Sequence, residues 1–150
     1  MLSFELTEDG WFDGLPPGQA PVLRTMLESG KTEEQVAEFW LSATGPDTTA
    51  GFGATGRIQK FFSNVKQEFN AFVCDDDRYE EERQQAARIW NEQGKVALVS
   101  MVAAVVASNI GLAVAAVVPV VALLFSLSAK VGINAYCESC LEDNDEKETN

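Results

Sequence analysis

The sequence has no histidine among its 150 residues. Serine and cysteine nucleophiles in the common catalytic arrangements need a histidine as general base, so those arrangements are excluded. A structural zinc site needs four ligands, and the only thiols are Cys74, Cys137 and Cys140, so a carboxylate would have to supply the fourth. We therefore expect a protein that is not an enzyme and that binds no metal or cofactor.

Positive charge is scarce as well. Lysine and arginine number 11 against 23 aspartates and glutamates, which gives a formal net charge of −12. Such a chain repels the phosphate backbone of nucleic acids, whose recognition depends on basic contacts. The helix-turn-helix outline in residues 21–40 is itself acidic, so we interpret it as the packing of two short helices and expect no nucleic-acid partner.

The cysteines are few and odd in number. Three cysteines fit a reducing compartment better than a disulfide framework. Glu138 lies inside the C-x-x-C formed by Cys137 and Cys140, and its charge disfavours the thiolate that a redox pair needs. The N-terminal segment, MLSFELTEDG, has no basic residue ahead of an apolar run, unlike a secretory signal. We expect inert thiols and a cytoplasmic location for the N-terminal part of the chain.

The glycine-rich stretch GFGATG, residues 51–56, matches the pattern that holds the pyrophosphate of dinucleotides. In those proteins a buried strand leads into the first glycine, whereas the preceding SATGPDTTA contains no apolar β-branched run. Phe69 and Phe72 also continue a helical stripe where a second strand would be needed. We interpret the stretch as a flexible connection into a helix and expect no nucleotide.

Helical signals begin after an irregular N-terminal arm. Residues 21–28 read as a short helix, and Thr32 with Gln35 has the spacing of a capping box for the next one. In that second helix Val36, Phe39 and Trp40 recur at positions that predict one apolar face.

The clearest amphipathic helix covers residues 57–74. Its apolar residues form one stripe, which we interpret either as a partner surface or as part of the core. The stripe contains Phe61, Phe62, Val65, Phe69 and Phe72.

Ionisable side chains are absent from residues 96–129, a run of 34. A single straight helix of that length would measure about 51 Å, too long for a hydrocarbon layer of about 30 Å. The polar residues 108–111 therefore predict a break, and the run becomes either one span with an interfacial piece or a hairpin with both ends on one side.

Residues around this run are typical of a membrane interface. Lys95 and Lys130 bracket it, and Trp90 and Tyr136 lie just beyond, where amphipathic aromatics favour the headgroup region. Small residues also recur at every fourth position, a spacing that allows close helix contact in membranes. They are Ala103, Ala107, Gly111 and Ala115.

A soluble alternative stays open, because a helix pair this apolar also suits the centre of a small bundle. In that case Pro119 would open the last helix, where its missing N–H is harmless.

Together these signals predict an all-α fold in four segments. They are an irregular arm (1–20), a small acidic helical domain (21–95), an apolar helical hairpin (96–136) and a disordered acidic tail (137–150). We expect a membrane-associated anchor, accessory subunit or membrane-perturbing effector that contacts a protein partner or a second copy. The alternative is a cytoplasmic interaction module with the hairpin as its core.

Overall fold

The structure, a computed structural model, describes residues 2, 4–7, 9–44, 54–75 and 77–148, of which 42–44, 54–59 and 141–148 are described by their backbone. Within these ranges the chain forms seven α-helices and no strand, which confirms the all-α fold. The helices are α1 (Gln19–Glu28), α2 (Glu33–Thr44), α3 (Ala54–Cys74), α4 (Glu80–Gln93), α5 (Lys95–Ile110), α6 (Val114–Val131) and α7 (Ile133–Glu148).

The arm that precedes α1 is irregular, as predicted, yet it is part of the core. Leu2, Trp11, Phe12 and Leu15 are all buried. The Leu2 amide donates to the carbonyl of Val73 at 3.0 Å, which joins the arm to the end of α3.

Helix α2 starts at the predicted capping box. The Thr32 amide donates to Gln35 Oε1 at 2.9 Å, and the Gln35 amide donates to Thr32 Oγ1 at 3.1 Å. The predicted apolar face is wrong, because the buried face of α2 is rotated from it by part of a turn. Val36 is buried, but Phe39 is half exposed with the Lys31 ammonium 5.6 Å from the centre of its ring.

The aromatic stripe of α3 faces inward. Phe62, Val65, Phe69 and Phe72 are buried and Phe61 is partly buried, so the stripe is core rather than an open surface. Burial of such large side chains is the dominant favourable contribution to folding.

The uncharged run forms two antiparallel helices with the break where the sequence predicts it. Helix α5 ends at Ile110, and Gly111 follows in the left-handed conformation, φ 74°, with its amide bonded to the Ala107 carbonyl at 2.9 Å. A glycine adopts this C-cap without the steric penalty of a Cβ. Pro119 does not open a helix, since it lies in the interior of α6.

Helix α6 is the centre of the molecule and packs against α2, α3, α5 and α7. Its middle is completely enclosed from Val120 to Phe125. The Phe125 ring stacks on Trp11 with centroids 4.9 Å apart and meets the Phe69 ring edge-on, also at 4.9 Å. One hydrophobic cluster therefore takes side chains from the arm, the amphipathic helices and the hairpin.

The acidic C-terminal segment differs from the expected disordered tail over most of its length. Helix α7 carries the backbone from Ile133 to Glu148, and Tyr136, Cys137 and Cys140 are buried. These three side chains pack the first turns of α7 against the core.

Phe125→Ala should lower the free energy of unfolding by about 3–5 kcal/mol, because it removes a buried ring and leaves a cavity between Trp11 and Phe69. Urea denaturation followed by circular dichroism measures this loss. Val131→Ala is the matched control in the same helix, since Val131 is exposed and its truncation should change stability by less than about 0.5 kcal/mol. Equal effects of the two variants would contradict the central place of Phe125.

Candidate functional site

The hairpin presents an apolar surface to solvent at the turn between its helices. We name residues 110–118 the hairpin tip; the sequence there is IGLAVAAVV, without a polar side chain. Gly111, Ala113, Val114 and Ala115 are exposed, and Leu112 is partly buried. The tip is therefore apolar and accessible while the middle of α6 is enclosed.

Polar side chains of the hairpin bond to the helix that carries them. Ser100 Oγ donates to the Val96 carbonyl at 3.0 Å, and Ser128 Oγ donates to the Leu124 carbonyl at 2.7 Å. Near the tip, Asn109 Nδ2 donates to the carbonyl of Val105 at 2.8 Å. Bonds of this kind satisfy polar groups without water, as side chains in an apolar medium require.

The two helices have lengths close to the thickness of a bilayer core. Helix α5 has 16 residues and α6 has 18, which correspond to about 24 Å and about 27 Å. Among the described helices, α6 is the one long and apolar enough to cross a membrane, and half of it is buried inside the fold. A core helix meets the same criteria, so length and composition fit both environments.

The predicted small-residue face is divided by the fold. Ala103 and Ala107 are buried within the bundle, whereas Gly111 ends α5 and Ala115 is exposed in the first turn of α6. The four residues therefore do not form one continuous helix surface. The reason is the chain reversal at Gly111, which a spacing rule alone does not register.

Two of the predicted interface residues meet at one aromatic cluster. The Trp90 ring stacks on Trp11 at 5.8 Å and on Phe4 at 5.3 Å, and the Lys95 ammonium lies 5.3 Å from the centre of the Trp11 ring. Cation–π contact and stacking both stabilise this arrangement. Trp11 is thus a partner that sequence reasoning missed, because the irregular arm has no periodicity that predicts its burial.

Lys130 is exposed at the end of α6, with its Nζ 3.9 Å from Glu33 Oε1. Because α5 and α6 are antiparallel, Lys95 and Lys130 stand at the same end of the hairpin, opposite the tip. The Lys130 side chain is exposed and the Glu33 side chain is buried, so the pair lies at the edge of the core. The two ammonium groups therefore mark the base of the hairpin.

Tyr136, the fourth predicted interface residue, is buried against α3. Its hydroxyl donates to Asn70 Oδ1, and its ring meets Phe69 edge-on at 6.0 Å. Burial raises the pKa of the Tyr136 phenol, and the neighbouring Cys140 and Glu34 raise it further. In this fold Tyr136 joins α7 to α3 instead of facing a membrane surface.

The expectation of three inert thiols is wrong. Cys74 at the end of α3 and Cys137 on α7 form a disulfide, with an S–S distance of 2.10 Å and a Cα–Cα distance of 5.5 Å. Cys140 lies outside this disulfide and is buried. The C-x-x-C spacing therefore does not identify the bonded pair, which is 63 residues apart in the sequence.

The first three residues of the nucleotide-binding pattern, 51–53, lie outside the described residues. The other three, 54–56, form the start of α3. Across the described part of the chain, no group of three or more cysteine, aspartate or glutamate side chains is placed to hold a metal ion.

No protein family matches the chain, and no curated protein or solved structure matches it.

Tyr136→Phe should lower the free energy of unfolding by about 1 kcal/mol at neutral pH, because Asn70 Oδ1 loses its donor. The variant should also lose less stability in alkali. A phenol whose pKa is raised above 10.0 on folding contributes stability that is complete below that pH and is lost as the pH rises above it.

Urea denaturation between about pH 8 and pH 11 measures both effects. Tyr79→Phe is the control, since Tyr79 is the only other tyrosine and its replacement leaves the Tyr136 contribution in place. An alkaline loss in Tyr136→Phe as steep as in wild type would contradict this assignment.

Proposed function

We propose that this protein associates with membranes through the α5–α6 hairpin, which enters the bilayer tip first. The observation that supports the proposal is an exposed apolar tip on a helix pair that has no charge between Lys95 and Lys130. Four polar side chains of this pair also bond to carbonyls of their own helix, namely Ser100, Ser108, Asn109 and Ser128. These bonds lower the cost of moving the segment out of water.

Among the roles that the sequence suggests, we favour a membrane-perturbing effector over a permanent anchor. The middle of α6 is covered by α2, α3 and α7 in this fold, so the hairpin must leave its cover before it can insert fully. A chain that carries its apolar segment inside an acidic bundle is suited to a soluble state that precedes insertion. Transfer of the enclosed valine, leucine and phenylalanine side chains from core to hydrocarbon exchanges one apolar environment for another.

The geometry of the inserted state follows from the hairpin. With the tip in the hydrocarbon, Lys95 and Lys130 at the base lie at the headgroups, where their long side chains are favoured. Ala103 and Ala107, buried inside the bundle in this fold, then face lipid or another helix. Their i, i+4 spacing supports contact with a second copy or a partner subunit.

The disulfide bears on location. Disulfides persist mainly in oxidising compartments, so the Cys74–Cys137 bond favours an extracytoplasmic side of the membrane over the cytoplasmic side that the composition suggests. We therefore propose that the protein acts on the extracytoplasmic side of a membrane.

A soluble interaction module is the second candidate function. It is supported by the complete enclosure of α6 from Val120 to Phe125, which makes the hairpin the core of the bundle. The hairpin tip would then dock on an apolar surface of a protein partner.

Binding to neutral phosphatidylcholine vesicles tests the membrane proposal, because the net charge of −12 would repel anionic lipids. Wild type should sediment with the vesicles and release an entrapped dye. Val114→Asp should bind at least about tenfold more weakly, since aspartate in hydrocarbon is unfavourable by about 2.5 kcal/mol.

The matched control is Val22→Asp on α1. Val22 and Val114 are the same residue type with nearly equal exposure, 48% and 44%, so both variants gain one charge at a comparable position. Val22→Asp should bind like wild type. Equal weakening by both substitutions would contradict insertion through the tip, and a wild type that stays in the supernatant would overturn the membrane proposal in favour of the soluble module.

A further inference from the structure

All three cysteines of the chain lie on α3 and α7, two helices that pack together. The disulfide joins Cys74 to Cys137, and Cys140 follows one turn later on α7, buried like Cys137. We propose that these residues form a thiol–disulfide exchange site, in which Cys140 takes Cys137 as its partner and releases Cys74.

The helix positions of the three cysteines support this order of events. Side chains three residues apart on a helix are neighbours, with about 5–6 Å between Cβ atoms, so Cys140 shares a face of α7 with Cys137. A disulfide spans Cα atoms about 4.4–6.8 Å apart, a separation that one helical turn satisfies. Cys74 stands on another helix and is the sulfur that can leave.

The step balances without an added reductant or oxidant. The Cys140 thiol loses its proton, and the resulting thiolate, a minor species because Glu138 and burial disfavour it, attacks Sγ of Cys137 in a slow step. A new Cys137–Cys140 bond forms as the Cys74–Cys137 bond breaks, and Cys74 departs as a thiolate that takes up a proton. One disulfide and one thiol are present before and after, so no sulfur is oxidised or reduced overall.

Tyr136 and Asn70 form a second link between α3 and α7. The Tyr136 hydroxyl donates to Asn70 Oδ1, and Asn70 lies one turn before Cys74 on α3. This contact spans the same two helices as the disulfide. It therefore holds the helices together while the covalent bond changes partners.

The exchange would change what holds α7 in place. Before it, the disulfide closes a loop that contains α4, α5 and α6, so the two helices at its ends cannot separate. After it, the bond lies within α7, and the contacts of α7 with α3 and α6 are noncovalent. This consequence rests on the proposed function, because it makes exchange the step that loosens the cover of the hairpin.

Peptide mapping tests the exchange on the whole protein without lipid. Trypsin places Cys74 in the peptide 67–78 and both other cysteines in the peptide 131–147, so the two disulfides give different products. The native protein is incubated at pH about 8, near the ordinary thiol pKa, with a maleimide that traps released thiols.

In wild type, we expect maleimide to accumulate on Cys74 while peptide 131–147 acquires an internal disulfide. Cys140→Ser removes the attacking sulfur and should abolish labelling of Cys74. Labelling confined to Cys140 with the Cys74–Cys137 bond intact would overturn the proposal.

Cys74→Ser provides a second test that does not depend on the rate of exchange. Purified in air, this variant should carry the Cys137–Cys140 disulfide, and two unreacted thiols would show that α7 cannot form it. Circular dichroism of both variants verifies that the helices are retained. Failure of vesicle binding would leave these results unaffected, so the exchange and the membrane proposal can fail separately.

Discussion

The fold depends on the contact of Phe125 with Trp11 on one side and Phe69 on the other. Through these rings the irregular arm, the amphipathic α3 and the apolar α6 share one core. The chain of aromatic contacts continues to Trp90 beyond Trp11 and to Tyr136 beyond Phe69, so it runs from α4 to α7. Aromatic rings supply much buried area with defined geometry, which is why so few of them can order an otherwise valine- and alanine-rich hairpin.

The hairpin meets two requirements with the same chemistry. A helix at the centre of a small bundle and a helix in hydrocarbon both need apolar side chains and internally satisfied polar groups. Ser128 bonded to the carbonyl of Leu124 satisfies either environment. The difference between them lies in what surrounds the hairpin, and in this fold the middle is covered by protein while the tip is open. A core segment with an uncovered end is the physical basis of the proposed insertion.

A covalent link and a noncovalent link both join α7 to α3. The disulfide between Cys74 and Cys137 stands beside the hydrogen bond from Tyr136 to Asn70, so two interactions of different kind hold the same pair of helices. Only the first of them depends on sulfur chemistry. The arrangement places the disulfide on α7, one of the helices that cover the hairpin, which relates the proposed exchange to the accessibility of α6.

Local signals in the sequence determined the helices that precede α7, the cap at Thr32, the chain reversal at Gly111 and the inward stripe of α3, because periodicity, capping and glycine backbone freedom act within a few residues. Tertiary structure alone decided the burial of Trp11, the orientation of α2 that leaves Phe39 exposed, and the pairing of distant cysteines. These outcomes depend on contacts between residues far apart in the chain, and no local pattern records which surfaces meet. The small-residue spacing illustrates the same limit, since its members are divided between two helices once the hairpin turns.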